Sequence, residues 1–348
     1  MKIAVAMSGG VDSGSCAYLL SREGFTVLGL TFEMLTPCKI SSDRAEESSV
    51  TLSPAEGAAR LCAQIGAEHF TVDERENFKK CVIQPFIGAY LAGETPNPCV
   101  LCNKKIKFPE MFTFADSHGA EFCATGHYAR TEKCGDSFIL KKALDPAKDQ
   151  SYVLWNLTQK ELGRLKFPLG IYTKPQIREI ADSAGLECAH SKDSQDASFI
   201  EENSASVPPC GNYISEDGCV LGRHRGHHRT TLGQGKGLGI ALGRRVYVIN
   251  KNASDNTVTL GSEERLYKKR VTADSINIIC PGALEKRERF SAKIRYGRRE
   301  NTGYAERTGE DTLTFEFDEA VRAPSPGQSL VIYAGDCVVA GGIIRRAD

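Results

Sequence analysis

The sequence predicts an α/β fold, with a parallel sheet covered by helices over the first 200 residues and two small β modules after it. Three observations carry this. A short apolar run, Ile3, Ala4 and Val5, passes through the glycine turn Ala6-Met7-Ser8-Gly9-Gly10-Val11-Asp12-Ser13 into a helical pattern at Cys16, Ala17, Leu19 and Leu20. Strand and helix patterns then alternate to about residue 190, as a parallel sheet with helical crossovers requires. Beyond residue 200 helical periodicity fades and short alternating runs replace it. Boundaries near 201 and 271 divide the chain into 1–200, 201–270 and 271–348.

The elements follow in order. Thr26 to Phe32 reads as a buried strand, and residues 36–52, polar and irregular, as a mobile loop. Ser53-Pro54-Ala55-Glu56 opens a helix, with Ser53 as N-cap, Pro54 in the first position and Glu56 closing a capping box. Glu68 to Val72 is a strand, and Arg75 to Leu91 a long helix kinked at Pro85. Glu121 to Thr125 is a further strand, ending in Gly126-His127-Tyr128. Thr173-Lys174-Pro175-Gln176 caps a helix that runs to Gly185. In the second half, Val246 and Val248 pair with Thr257 to Leu260 as a hairpin. Thr312 to Phe317 alternates, and Leu330 to Tyr333 pairs with Cys337 to Ala340 across Gly335-Asp336.

Parallel sheets bind ligands at the carboxyl ends of their strands. The turn at Ser8, the segment after Phe32 and Gly126-His127 all lie at such ends. Two adjacent glycines let the backbone turn tightly, and amides at the start of a helix attract an anion. A Walker loop needs a lysine that is absent here. The pattern S-G-G-x-D-S, with Ser8, Asp12 and Ser13, favours a different phosphate cradle over an ordinary strand-to-helix turn.

Composition adds bounds. There are 44 basic and 44 acidic residues, so a nucleic-acid face must be local. No apolar run approaches the length of a membrane helix, and the first residues enter the glycine turn without a signal peptide's apolar core, which predicts a cytoplasmic protein. Thirteen cysteines in such a chain point to buried thiols, metal ligands or sulfur chemistry, not to a disulfide scaffold.

Cys99 and Cys102 form a C-x-x-C within Thr95-Pro96-Asn97-Pro98-Cys99-Val100-Leu101-Cys102. Thirteen cysteines placed at random give roughly 0.45 such pairs, so the spacing alone says little. Lys104, Lys105 and Lys107 add positive charge, which is expected to raise the thiolate fraction of Cys102. A zinc site would want a second close pair, and there is none. The run Arg223-His224-Arg225-Gly226-His227-His228-Arg229 reads as a solvated basic loop or a phosphate-contacting patch before it reads as a metal site. With Lys268-Lys269-Arg270 and the cluster Arg295, Tyr296, Arg298 and Arg299, it makes a nucleic-acid face in the β half.

Taken together, the chain resembles the tRNA-specific 2-thiouridylases (the MnmA/TrmU family) of the PP-loop ATP pyrophosphatase superfamily. The matching segments are A-M-S-G-G-V-D-S at 6–13, T-P-N-P-C-V-L-C-N-K-K-I-K-F at 95–108, A-T-G-H-Y-A-R at 124–130, K-D-Q-S-Y-V-L at 148–154, F-P-L-G at 167–170, K-D-S-Q at 192–195, G-Q-G-K-G-L-G-I at 233–240, K-I-R-Y at 293–296 and A-P-S-P-G-Q at 323–328. The resemblance implies a PP-loop domain, a small central β-rich domain and a C-terminal β-barrel. It implies ATP (with Mg2+) as co-substrate, tRNA as partner and a sulfur donor, which is a cysteine desulfurase, a relay protein or free sulfide.

By the same resemblance Ala6, Met7, Ser8, Gly9, Gly10, Val11, Asp12 and Ser13 hold ATP, with Phe32 and Gly126 lining the nucleotide. Asn97, Pro98 and Cys99 surround the target base, and His127, Lys148, Asp149, Gln150, Arg295, Tyr296 and Gln328 meet tRNA. Cys102 matches the first catalytic cysteine, and Asp12 and Cys99 join it in the chemistry. The family reads C-F-I where this chain has Ser198-Phe199-Ile200, so serine stands at the persulfide position. The following stretch to Cys210 is shortened, and Gly235 replaces the usual arginine. Three readings stay open: thiolation by another sulfur path, with Cys99 and Cys102 as a redox pair or as iron–sulfur ligands beside Cys188 or Cys210; a paralogue that adenylates another substrate; or an RNA-binding relative without thiolation.

Overall fold

The computed structural model describes residues 1–35, 53–191, 210–297 and 299–348. The mobile loop expected at 36–52, Ser198 and Arg298 lie outside the described residues. The chain forms two compact units, one within Met1–Val82 and Val100–Asp196, the other within Ile83–Cys99 and Ala197–Asp348.

The chain begins with β1 (Lys2–Ala6), α1 (Val11–Arg22), β2 (Thr26–Glu33), α2 (Pro54–Gln64) and β3 (Glu68–Asp73). Ser53 caps α2 as expected. Its side chain accepts from the Glu56 amide, and the Glu56 carboxylate accepts from the Ser53 amide. The stretch read as one helix kinked at Pro85 is instead α3 (Arg75–Phe78), a π-helical turn (Lys79–Ile83) and α4 (Gln84–Leu91). The break falls just before the proline, because the wider turn absorbs the hydrogen bond that Pro85 cannot donate. A short helix α5 (Pro98–Cys102) and a second π-helical turn (Asn103–Lys107) lead into α6 (Phe108–Ser117).

β4 (Phe122–Ala124) is followed by a hairpin of β5 (Ala129–Cys134) and β6 (Ser137–Lys142), then α7 (Gln159–Arg164), β7 (Leu165–Lys166) and α8 (Lys174–Ser183). The hairpin is absent from the sequence reading, although Gly135-Asp136 signals its turn. α8 stops at Ser183, two residues before the predicted end, and Gly185 follows with φ +65°.

The first unit is built on a parallel sheet of order β3-β2-β1-β4-β7. Side chains alternate across it. Ile3, Val5 and Ala124 pack with Cys16, Leu20, Leu61 and Ile177 of the α1, α2 and α8 layer. Cys123 points the other way and donates its thiol hydrogen to the Met111 carbonyl of α6. Burial on both faces is why these strands read as continuous apolar runs.

The second unit holds a four-stranded sheet of β8 (Gly211–Ile214), β9 (Val220–His224), β10 (Tyr247–Asn252) and β11 (Thr257–Gly261), in the order β10-β11-β8-β9. It also holds six antiparallel strands: β12 (Tyr267–Ile278), β13 (Glu288–Lys293), β14 (Asn301–Gly309), β15 (Thr312–Arg322), β16 (Ser329–Ala334) and β17 (Cys337–Ala347). These run β12-β15-β14-β13-β16-β17, and β17 returns to β12, closing a barrel. Both hairpins expected here form, with Val248 opposite Leu260 and Tyr333 opposite Val338. Val271, Leu313, Phe315, Phe317, Ile332 and Ile344 fill the interior.

The histidine run is not the solvated loop expected. Arg223, Arg225 and Arg229 are exposed, but His224, His227 and His228 are buried. His227 is satisfied by the Asn256 side chain at 3.0 Å and the Leu91 carbonyl at 2.9 Å. Among the described residues neither ring nitrogen of His228 has a hydrogen-bond partner. Burial holds His224 and His228 below the ordinary imidazole pKa, and burial does the same to His69 and His127 in the first unit.

A lowered folded-state pKa means that the unfolded chain binds more protons below about pH 6.5. Stability is therefore full above that value and falls as the solution is acidified. Melting temperature measured from pH 7.5 to 5.5 should drop on the acid side, and His228→Gln should flatten part of the drop. An unchanged melting temperature across that range would contradict the burial of these rings.

Candidate functional site

The glycine turn sits at the carboxyl end of β1. The Met7 amide donates to the Leu30 carbonyl at 2.8 Å, which anchors the turn to β2. Gly9 has φ +76°, and a Cβ there would lie 3.0 Å from the Pro54 carbonyl oxygen. Gly10 is extended and caps α1 without a side chain, so the first amides of the helix meet no side-chain acceptor. Ser13 Oγ donates to the Gly10 carbonyl at 3.1 Å and accepts from the Ser8 amide at 3.1 Å, with Ser8 Oγ 3.2 Å away. The turn is thus tied to its own helix, and its amides stay available to an anion.

Gly126, at the end of β4, closes one side. A Cβ there would stand 2.9 Å from the Asp12 carbonyl carbon and 3.0 Å from the Ser13 nitrogen. Only glycine lets this loop lie against the first turn of α1.

Asp12 points from that turn to two partners. Lys174 Nζ lies 2.8 Å from both carboxylate oxygens, and the Tyr128 hydroxyl donates to Oδ1 at 2.8 Å. Lys174 is only 8% exposed, and its amide donates to Asp145 Oδ2 at 3.1 Å. The sequence reading treated Lys174 as part of a helix cap and missed this role. Its long separation from Asp12 left no local signal. A buried lysine beside the first turn of α1 is a cation that an anion can share.

The neighbouring strand end carries the remaining residues of the first unit. Phe32 is half-buried on β2, next to Thr31, whose hydroxyl lies 3.1 Å from the Met7 carbonyl and 2.9 Å from His69 Nε2. Just beyond β2, Met34 Sδ is 3.8 Å from Cys102 Sγ. Asn103 donates to the Val153 carbonyl at 3.1 Å and Asn156 to the Val100 carbonyl at 3.2 Å, which fixes the segment bearing Cys102. The expectation that the lysines raise the thiolate fraction of Cys102 is corrected: burial pushes its pKa up, and Lys107 offsets this only in part.

Three of the expected tRNA positions are engaged within this unit. His127 Nδ1 meets Thr125 Oγ1 at 2.7 Å, and burial, then Lys107, keeps the ring neutral. Asp149 is buried and accepts from the Ala143 and Ser151 amides and the Ser151 hydroxyl. Gln150 exchanges hydrogen bonds with the Tyr128 backbone at 2.9 and 2.8 Å. These contacts shape the loop, and Lys148 on it is half-buried.

In the second unit, residues 323–328 gather the others. Gln328 Nε2 donates to the Thr95 carbonyl at 2.7 Å, and the Thr95 amide donates to Pro326 at 2.8 Å. Gly327, at φ +87°, would place a Cβ 3.1 Å from the Thr95 and Pro96 backbone. Arg295 donates to the carbonyls of Leu232 and Ala323 and to Ser325 Oγ. Tyr296 beside it is exposed. Asn97 Oδ1 accepts the Cys99 amide at 3.0 Å, so Asn97 and Pro98 start α5 in the N-cap and first positions. Cys99 is exposed.

The twelve described cysteines are all thiols. Among the described residues no three His, Cys, Asp or Glu side chains gather to hold a metal ion. Cys188 sits in the core, where a Cβ on Gly14 would stand 2.8 Å from its sulfur, and burial raises its pKa to about 11. At Gly235, a Cβ would stand 2.7 Å from the Tyr247 ring, so that ring fills the space a side chain would need.

Three family models cover the chain. The tRNA methyl transferase HUP domain matches residues 1–202, the tRNA methyl transferase PRC-barrel domain 198–262, and the aminomethyltransferase beta-barrel domain 268–344. A tRNA-specific 2-thiouridylase MnmA of Clostridioides difficile (strain 630) is 41% identical over 99% of this chain and 98% of its own length. One from Clostridium botulinum (strain Alaska E43 / Type E3) is 40% identical with the same coverage, and a tRNA-specific 2-thiouridylase MnmA 2 of Caldanaerobacter subterraneus is 39% identical, also with that coverage. With the glycine turn in the parallel-sheet unit and the barrel in the second, these full-length matches show that the chain belongs to the tRNA-specific 2-thiouridylase MnmA family.

Proposed function

We propose that the protein replaces the C2 oxygen of a tRNA uridine with sulfur, using ATP to activate that oxygen. The observation that supports this most is the cradle at 8–13, whose uncapped helix amides adjoin the Asp12–Lys174 pair. The division 1–200, 201–270 and 271–348 assigns this chemistry to the first segment, together with the contacts of Asn97, Pro98 and Lys148, and further RNA contacts to the β segments.

The C2 oxygen is a poor leaving group. Attack by that oxygen on the α-phosphorus of ATP forms an O–P bond, releases pyrophosphate and converts the oxygen into part of an AMP leaving group. ATP arrives as its magnesium complex. The amides of α1 and the Ser8 and Ser13 hydroxyls bind the phosphates, Lys174 meets their charge, and Gly126 and Phe32 border the nucleotide. Asp12, held by Lys174 and Tyr128, positions that lysine.

Ser198 has no thiol, so it can neither hold sulfane sulfur nor close a disulfide. The sulfur step therefore uses Cys102 and Cys99, three residues apart. A donor, either a cysteine desulfurase or a relay protein, leaves a persulfide on Cys102. Its outer sulfur adds to C2, and AMP departs. The Cys99 thiolate then attacks the Cys102 sulfur, releasing the 2-thiouridine and leaving a Cys99–Cys102 disulfide for a cellular dithiol to reduce. Asn97 and Pro98 flank the base, and Tyr296, Lys148 and Gln328 meet the RNA.

Asp12→Asn and Lys174→Gln should each lower tRNA-dependent ATP–pyrophosphate exchange by about a hundredfold or more. Exchange at the native rate in both would remove the cradle from the reaction. Cys102→Ala should abolish 2-thiouridine formation yet keep exchange, whereas Ser198→Cys should retain thiolation. Nucleoside mass spectrometry of tRNA from a deletion strain gives the deciding measurement. Undiminished 2-thiouridine in a strain with no second thiolase would overturn the proposal.

A further inference from the structure

A cavity of about 560 Å³ lies wholly within the second unit. Its walls come from residues 92–95 after α4, 249–251 of β10, 265–268 at the start of β12, 324–326, and 345–347 at the end of β17. Five cations line it, Lys251, Arg265, Lys268, Arg345 and Arg346, against one carboxylate, Glu94. In a chain whose charges sum to zero, this is a strong local excess.

The three arginines are partly compensated. Arg265 pairs with Glu216 at 2.6 Å, Arg345 with Asp274 at 2.8 Å and Glu94 at 3.2 Å, and Arg346 with Asp348 at 2.8 Å. Glu216, Asp274 and Asp348 are not wall residues, and exposed pairs of this kind hold little energy. The two lysines differ. Neither forms an ion pair within 4.0 Å among the described residues. Lys251 is half-buried and donates to the Thr230 carbonyl at 3.3 Å and the Glu94 carbonyl at 3.5 Å, two uses of an ammonium that has three N–H groups. Burial lowers its pKa to about 8, and the charge of Glu94 offsets only part of that. The site thus keeps a half-buried cation that forms no ion pair within 4.0 Å among the described residues.

The cavity is larger than a bare phosphate needs, and Leu232, Ile249 and Leu266 give it an apolar part suited to a sugar. Its rim is continuous with the segments already placed against RNA: residues 92–95 lead to Asn97, and 324–326 lead to Gln328. We infer that this cavity receives a backbone phosphate of the bound tRNA, held by Lys251 and Lys268. The inference rests on the tRNA-thiolating reading above.

The test is a fluorescence-anisotropy titration of the full chain with a tRNA transcript between about 50 and 200 mM salt. Lys251→Gln and the surface variant Lys268→Gln should each weaken binding about tenfold and make the salt slope shallower by about one. If the wild type binds tRNA and the double variant matches it in affinity and slope, the cavity assignment falls while the thiolation reading stands. If the wild type does not bind tRNA, both fall. Equilibrium dialysis with inorganic phosphate and with AMP separates the remaining source. Submillimolar binding of either that the double variant loses, with tRNA affinity unchanged, would make this a small-anion site and overturn the assignment.

Discussion

Within the first unit the contact on which the site depends is the ion pair between Asp12 and Lys174. It joins the first turn of α1 to the first residue of α8, across 162 positions of sequence. A lysine as deeply placed as Lys174 carries a desolvation cost of several kcal/mol unless an anion stands beside it. Asp12 supplies that anion, and Tyr128 fixes the carboxylate from a second direction. Removing either charge strands the other. The same arrangement explains why the turn carries aspartate: a neutral residue at position 12 would leave Lys174 alone beside the helix amides, where two positive partners face each other.

Close backbone approach is the second constraint. Gly9 combines φ +76° with a tight approach to Pro54, and Gly126 meets Asp12 at a distance that a Cβ does not tolerate. The turn before α1 is thus packed against the start of α2, and the first turn of α1 against the loop after β4. Electrostatic help from the amides of α1 needs groups fixed before the charge appears. Gly9 and Gly126 are the positions at which neighbouring backbone comes this close.

Much of this was legible in the sequence because its causes are local. The boxes at Ser53 and Thr173 announce their helices three residues at a time, and both form. The glycine turn and the Gly335-Asp336 hairpin are read the same way. What failed to show depends on distant partners. Lys174 looks like an ordinary first-turn lysine until α8 meets α1. The run 223–229 looks solvated by composition, but alternation in β9 and the turn after it sends arginine outward and histidine inward. The charge near Cys102 was read correctly and its effect was not, because sequence shows the lysines and hides the burial that outweighs them. The cation-lined cavity was visible only as Lys268-Lys269-Arg270; Lys251 joins it through the fold.

The proposed reaction divides into an activating half and a sulfur half, and the two draw on different residues. Activation needs the cradle, Asp12, Lys174 and Gly126, and every one of these is in place with tight geometry. The sulfur half is proposed to rest on Cys102 and Cys99, because the sequence carries serine, not cysteine, at position 198. A hydroxyl differs from a thiol by one atom, yet it cannot store sulfane sulfur, so in the proposed reaction Ser198 carries none. The chemical logic then runs in one direction. Once AMP is a good leaving group, any sulfur nucleophile brought to C2 completes the exchange, and the identity of the carrier becomes the replaceable part. In the proposed reaction the activating residues are the part that has no substitute, because the barrier assigned to them is present whichever thiol follows.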